Sequence, residues 1–251
     1  MNKLYSFANW CAVTILCLSV ISFSACSDDD DDNSDGSSGK VVVVKETDEN
    51  EYFDGLLYYN ITSNVNKTAQ VKGVEENCTE VEIPEKISVN GEVYTITGIG
   101  EYAFIREQFL TNIFLPKTIE LIDDYAFYGC QNLSTISLPN RVSYIGEEAF
   151  EYCYSLTSIH LPESVEKIGY RVFAYCYNLS YINFPAGLTY VEGSAFVECT
   201  NLEIYSYVVN PSQLAFYDGL PNGIILYVPK GTKDAYIDCF PWLSEQIREM
   251  D

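Results

Sequence analysis

From residue 98 onward the apolar positions of this chain repeat with a fixed period. Five Ala-Phe-like pairs, Ala103-Phe104, Ala126-Phe127, Ala149-Phe150, Val172-Phe173 and Ala195-Phe196, are each separated by 23 residues. Cys130, Cys153, Cys176 and Cys199 keep that step, as do Leu110, Leu133, Leu156, Leu179 and Leu202. Ile113, Ile136, Ile159 and Ile182 follow it too, and so do Leu115-Pro116, Leu138-Pro139, Leu161-Pro162 and Phe184-Pro185. The consensus is Leu-x-x-Ile-x-Leu-Pro-x-x-Val-x-x-Ile-Gly-x-x-Ala-Phe-x-x-Cys-x-x. Leu-x-x-Ile-x-Leu ends in the alternation of a strand, and Pro stops it. Val-x-x-Ile-Gly predicts a second short extended piece and a turn. Ala-Phe-x-x-Cys predicts a helical turn that points Phe inward. One unit cannot bury its own apolar face, so neighbours must stack. The fold class that follows is a solenoid, mostly β with short helical turns, of about five 23-residue coils. With strands ~4.8 Å apart, five coils span roughly 24 Å.

The flanks read as caps, which a solenoid needs to cover its end coils. Residues 81–104 predict an opening coil. Asn90-Gly91, between two β-rich runs, predicts a type I′ hairpin turn. That insertion explains why Ile83-Pro84 precedes Leu115-Pro116 by 32 residues and not 23. Residues 51–80, with Leu56-Leu57-Tyr58-Tyr59-Asn60-Ile61, predict β-structure against the first coil.

On these residues, from about 81 to 207, the chain resembles the BspA-like, or treponemal-type, leucine-rich repeats. Residues 224–251 are similar to the closing segment of such proteins, a strand followed by a helix carrying Trp242 and Leu243. The resemblance implies that the strand residues flanking each core Ile face the concave side. Here they are Asn112, Phe114, Thr135, Ser137, Ser158, His160, Tyr181, Asn183, Ile204 and Ser206, a row that is small and polar at its centre and aromatic near its ends. They are the candidate ligand-contacting residues. The resemblance also implies attachment to host proteins or other cells.

The N-terminal residues lie outside the repeat. Lys3 is the only basic residue among the first 25, and an apolar stretch from Trp10 to Phe23 ends in Ser24-Ala25. The stretch is short for a membrane span, which takes roughly 20 apolar residues, and reads as a secretory signal peptide. Phe23-Ser24-Ala25-Cys26 resembles a bacterial lipobox, with Phe in place of the usual Leu. The resemblance implies cleavage before Cys26 and lipidation of its thiol and amino group; the alternative is plain secretory cleavage. Residues 27–39 are polar and acidic with no apolar residue, so they cannot pack. They resemble the acidic signal that sends Bacteroidetes-type lipoproteins to the cell exterior. The expected organisation is signal peptide 1–25, acidic disordered tether 26–50, N-terminal β cap and opening hairpin 51–97, repeats 98–207 and C-terminal cap 208–251. Asp31-x-Asn33-x-Asp35-Gly36 matches the start of a calcium loop, but the position for its closing Glu is Val42.

Candidate chemistry is sparse. The repeat cysteines read as small buried hydrophobes, and none has zinc-type spacing. His160, the only histidine, lies one step out of phase with the core and faces outward. Gly98-Ile99-Gly100-Glu101-Tyr102-Ala103 matches a dinucleotide fingerprint by letter without a surrounding βαβ unit. The formal charge is −22, and loss of Lys3 with the signal makes it −23. Such a balance disfavours nucleic acid and anionic lipid as partners. Of 21 tyrosines, Tyr125, Tyr152, Tyr154, Tyr170, Tyr175, Tyr177, Tyr181 and Tyr190 sit off the core positions, where they serve either packing between coils or contact with a partner. The expectation is a non-catalytic lipoprotein of the outer membrane, anchored through Cys26 and facing outward, without metal or cofactor. Its expected partner is a host or bacterial surface protein or glycan. The alternative is an accessory or scaffold lipoprotein of an outer-membrane nutrient-uptake complex.

Overall fold

The computed structural model describes residues 41–48, 51–75, 77–217 and 220–251, all within the compact unit Ser38–Asp251. Its backbone is an eight-stranded parallel sheet built from Glu80–Glu82, Asn112–Phe114, Thr135–Ile136, Ser158–Ile159, Tyr181–Phe184, Glu203–Ser206, Ile225–Val228 and Ile247–Glu249, in that order. The mostly-β solenoid is therefore as the repeat predicts, but the ladder has eight rungs where the sequence suggests about five coils. The extra rungs come from both caps. Glu80 pairs with Asn112 across the expected 32-residue offset, and two further strands follow the last repeat.

A second row of short strands runs along another side. Leu121–Ile122 lies between Glu92–Ile99 and Tyr144–Ile145, and Tyr190–Glu192 lies between Lys167–Ile168 and Ala215–Tyr217. At two of these strand ends the consensus Gly is a matter of space, since a Cβ at Gly146 would run into the Asp124 amide nitrogen and one at Gly100 into the Val71 carbonyl, whereas Gly169 has open space around it.

The Ala-Phe-x-x-Cys segments are runs of tight turns in most coils, and become a 3-10 helix only at Gly193–Phe196. Their amides alternate. Tyr128 N–H bonds the Tyr125 carbonyl of its own coil at 3.1 Å, whereas Phe127 N–H bonds Ala149 of the next coil at 2.8 Å. Phe104, Phe150 and Phe173 reach Ala126, Val172 and Ala195 in the same way. A continuous helix would consume these donors internally and leave the coils unjoined. The alternation is reached with left-handed backbone at Tyr102, Tyr125, Glu148 and Arg171, and again at Arg106, Gly129, Tyr152, Tyr175 and Glu198.

Side chains complete the stacking. Phe104, Phe127, Phe150, Phe173 and Phe196 form one buried column with centroids 5.1, 5.2, 5.6 and 5.9 Å apart. Hydroxyls of Thr111, Ser134, Thr157 and Ser180 each donate to the carbonyl of the equivalent residue one coil earlier, Thr79, Thr111, Ser134 and Thr157. The caps behave as barriers at the ends. The Asn90-Gly91 hairpin forms with both residues at positive φ, 52° and 83°, and Val89 opposite Glu92. Leu57–Ser63 and Thr68–Val74 extend this sheet over the first coil.

Two boundaries differ from expectation. The tether was expected to run to residue 50, yet Val41–Val43 pairs with the strand Lys86–Val89, and Lys45–Asp48 pairs with Glu51–Phe53. Four consecutive valines suit a strand, and the free edge of Lys86–Val89 supplies the partner. At the other end the helix is Lys233–Cys239, while Trp242 and Leu243 lie on a separate 3-10 turn, Pro241–Leu243. Pro241 lacks the amide needed to continue the helix. Tyr236 on that helix is fully buried, its hydroxyl 2.7 Å from both the Val208 carbonyl and Ser206 Oγ.

Candidate functional site

The outward face of the long sheet carries most of the predicted contact row. Asn112, Thr135, Ser158 and Tyr181 are direct register partners on successive strands. Thr135, Ser137, Ser158 and His160 are exposed, and Phe114 is 59% exposed, which is unusual for a phenylalanine on a regular strand. Asn112 Nδ2 donates to Glu80 Oε1 at 3.0 Å, so the row begins at an acidic corner.

Three predicted members do not belong to it. Ile204 and Ser206 are buried. Tyr181 pairs with Glu203 and Ile182 with Ile204, so this coil is one residue shorter than the rest. Leu179-Ser180-Tyr181-Ile182 becomes Leu202-Glu203-Ile204, and a one-residue slip in a strand exchanges its faces. Ser206 then accepts from the Val208 amide and meets Tyr236 in the core. Glu203 and Tyr205 point outward in their place. The signal was present: the isoleucine series stops at Ile182, with Tyr at 205 and Ile at 204. Asn183 is also buried. Its Oδ1 accepts from Leu161 N–H at 2.7 Å and its Nδ2 donates to the Leu161 carbonyl at 2.9 Å. The preceding strand ends at Ile159, and the Asn183 amide stands in for the missing backbone partner.

The slip assembles an aromatic stack. Tyr205 lies 5.3 Å from Tyr181 and 4.6 Å from Tyr227, centroid to centroid. Glu203 ties it together, accepting from the Tyr205 hydroxyl at 3.0 Å and the Tyr227 hydroxyl at 3.5 Å. Burial and then this bond to Glu203 raise the Tyr205 pKa, which keeps the phenol neutral.

The other tyrosines divide. Tyr125 stacks on Tyr102 at 4.9 Å, Tyr152 on Tyr175 at 4.7 Å and Tyr154 against Tyr177 at 5.3 Å, so these serve packing between coils. Beneath them sits Glu151, a buried carboxylate. Its Oε1 is 2.9 Å from Arg171 Nη1, and its Oε2 has no partner of good hydrogen-bond geometry. Burial pushes this carboxyl up to about 7, and the adjoining Glu148 carboxyl adds to the rise while Arg171 opposes it.

The four repeat thiols are committed to structure. Cys130, Cys153, Cys176 and Cys199 each donate to a Phe carbonyl of the preceding coil, at 2.9, 3.3, 3.2 and 3.1 Å. Burial raises all four pKa values, that of Cys199 to about 12, so the nucleophilic thiolate is suppressed. Exposed His160 therefore has no activated thiol among them to serve as a partner. Gly98 and Gly100 sit at the end of the strand Glu92–Ile99, followed by a turn and not a helix, which is not the geometry that binds a dinucleotide. Among the described residues no group of three His, Cys, Asp or Glu could hold a metal ion. Cys26 and the acidic run after it lie outside the described residues.

Comparison with known proteins adds the family. Residues 97–217 match six copies of the BspA type leucine rich repeat region, a match that runs past the expected boundary at 207. The fold is similar to that of a leucine rich repeat protein of T. pallidum, at 20% identity and TM-score 0.57, covering 77% of this chain and 95% of that one. It is also similar to the pneumococcal vaccine antigen PcpA, at 21% identity and TM-score 0.58, over 77% of this chain and 52% of that one. A leucine rich cell surface protein of Faecalibacterium prausnitzii aligns at 22% identity and TM-score 0.52, over 75% of this chain and 53% of that one. The chain thus spans about half the length of the last two. A comparison with curated proteins returned no match.

Proposed function

For a chain whose residues 97–217 belong to the BspA-type leucine-rich-repeat family, we propose that the work done is binding, with the outward face of the long sheet as the contact surface. The observation that carries this is the register-matched row Asn112, Thr135, Ser158, Tyr181 and Glu203, which ends in the Tyr181–Tyr205–Tyr227 stack. A rigid ladder presents these side chains at low entropic cost, because the backbone is already ordered before a partner arrives. Aromatic side chains at its end add large contact area with few rotors to freeze. We propose further that the protein is anchored by lipid at Cys26 and displayed on the cell exterior, where the partner is a surface protein or glycan of the host or of another cell. The lipobox-like residues and the acidic run support that placement.

Binding of the Ser38–Asp251 unit to matrix proteins and glycans, with attachment assays on cells lacking the gene, tests the reading. Tyr205→Ala and Thr135→Lys should each weaken binding about ten-fold or more without lowering the melting temperature by more than a few degrees. Absence of binding together with unchanged attachment of the deletion cells would refute it. Protection of the folded unit from protease added to intact cells would refute the outward display, and failure of Cys26→Ala to abolish incorporation of labelled fatty acid would refute the anchor.

A further inference from the structure

A second feature stands apart from that row and from the adhesion reading. Beside the last rungs of the ladder is an open cleft of about 490 Å³, lined by Asn222, Gly223, Ile224, Ile225, Trp242, Ser244, Glu245 and Gln246. A strand and a turn make it. Ile225–Val228 supplies one wall, and the 3-10 turn Pro241–Leu243 supplies the other. Leu243 is buried under that turn, so Trp242 is turned out and is 58% exposed. Tryptophan is the costliest side chain to leave facing water, and here it faces an opening furnished with polar groups.

The walls are set before anything binds. Gln246 N–H bonds the Leu243 carbonyl at 2.8 Å, and the Gln246 carbonyl accepts from Leu226 N–H at 3.0 Å. The Gln246 Nε2 donates to the Pro221 and Ile224 carbonyls at 3.0 and 3.1 Å. That use of both amide hydrogens leaves its carbonyl oxygen as the group it can offer a ligand. Asn222, Ser244 and Glu245 are exposed and provide further donors and acceptors. A purely apolar ligand would strip water from these four side chains without replacing it, at a cost for each. A ring with a hydroxylated rim and a flat C–H face satisfies both halves of the lining, because its electropositive C–H groups pack on the negative face of the indole. Glu245 is the only charged residue of the lining, and the whole chain carries a net charge of −22. The Arg248 guanidinium beside the cleft is bonded to the Glu245 and Ile247 carbonyls at 2.8 and 2.9 Å, and the excess of acidic groups disfavours sulfated and uronic sugars. We propose that this cleft is a binding site for a neutral hexose unit, stacked on Trp242 and hydrogen-bonded by Asn222, Ser244, Glu245 and Gln246.

The sequence holds two tryptophans, Trp10 and Trp242, so the full chain carrying Trp10→Phe in detergent has Trp242 as its only indole. Its emission is titrated with maltohexaose, cellohexaose, mannohexaose and galactohexaose, and with a heparin hexasaccharide as the anionic probe. At least one neutral sugar should shift the emission saturably, with a Kd of about 1 mM or tighter. By calorimetry Trp242→Ala and Asn222→Ala should weaken that binding about ten-fold or more, while Trp242→Tyr keeps it within a few-fold; the melting temperatures of all three report folding. No saturable response to any neutral hexasaccharide up to about 10 mM would overturn the proposal. So would a response confined to heparin, or binding that Trp242→Ala leaves intact. Loss of cell attachment in Tyr205→Ala with none in Trp242→Ala would leave the adhesion reading standing irrespective of this result.

Discussion

Glu151→Gln should make the protein more stable, and only at neutral and alkaline pH. Glu151 is fully buried, with Arg171 on one oxygen and no well-placed partner on the other. Its carboxyl ionises near pH 7 in the fold, against a value of 4.5 for an unperturbed glutamate. Below 4.5 both the folded and the open chain hold the proton, and the group has no effect on stability. Between 4.5 and 7 the open chain gives up its proton first, so stability falls as pH rises; above 7 the loss is complete. At ~1.4 kcal/mol per pH unit the ceiling is about 3 kcal/mol. Arg171 is partly exposed, and solvent there screens the site, so about 2 kcal/mol is the expected size. Gln cannot ionise, retains an oxygen for Arg171 and offers an N–H where the protonated acid had an O–H. Thermal unfolding followed by circular dichroism from pH 4.5 to 8.5 measures the effect. The two proteins should melt together at the acid end and separate by about 4–8 °C above pH 7, with the variant higher. A gap that does not change with pH, or a variant that melts lower at pH 8, would refute the reasoning. Glu148→Gln should produce a smaller change of the same sign, because the Glu148 carboxyl contributes to the rise.

Phe150→Ala removes the middle ring of the phenylalanine column, and unfolding in urea should show a loss of about 3–5 kcal/mol. The buried thiols Cys130, Cys153, Cys176 and Cys199 should not react with iodoacetamide at pH 8 until the protein is unfolded, since each is buried and its pKa is raised; mass spectrometry of the native protein checks this, and fast labelling of Cys153 would contradict it. Tyr236→Phe leaves the Val208 carbonyl and the Ser206 hydroxyl short of a buried partner and should cost about 1–3 kcal/mol by chemical denaturation. Glu198 is exposed with φ near 65°, so Glu198→Gly should raise stability by roughly 1 kcal/mol by relieving left-handed strain; a lower melting temperature would count against that account.

Much of the architecture was legible because a solenoid writes its neighbours into its own sequence. The 23-residue step places each Phe, Cys and Leu above its equivalent, and the Asn90-Gly91 hairpin follows from backbone chemistry that is local to two residues. The contact row was legible only in part. Strand alternation assigned Asn112, Thr135, Ser158 and Tyr181 to the outward face, since period two is a local property. It misassigned Ile204 and Ser206, because alternation was counted from the leucine series, which keeps step through Leu202, although the isoleucine series breaks after Ile182. It also could not foresee that Asn183 spends its amide on Leu161, a residue 22 positions away whose own strand has ended.

Sequence alone therefore determined the period and the stacked core, because each depends on the order of residue types along one coil. Tertiary structure decided which side chains face the solvent at the final coils, why the thiols are inert, and where Trp242 stands. Those outcomes depend on register between coils, on the carbonyl each thiol meets and on how the C-terminal segment folds back across the last strands. Such relations hold between residues far apart in the chain, and no local pattern records them.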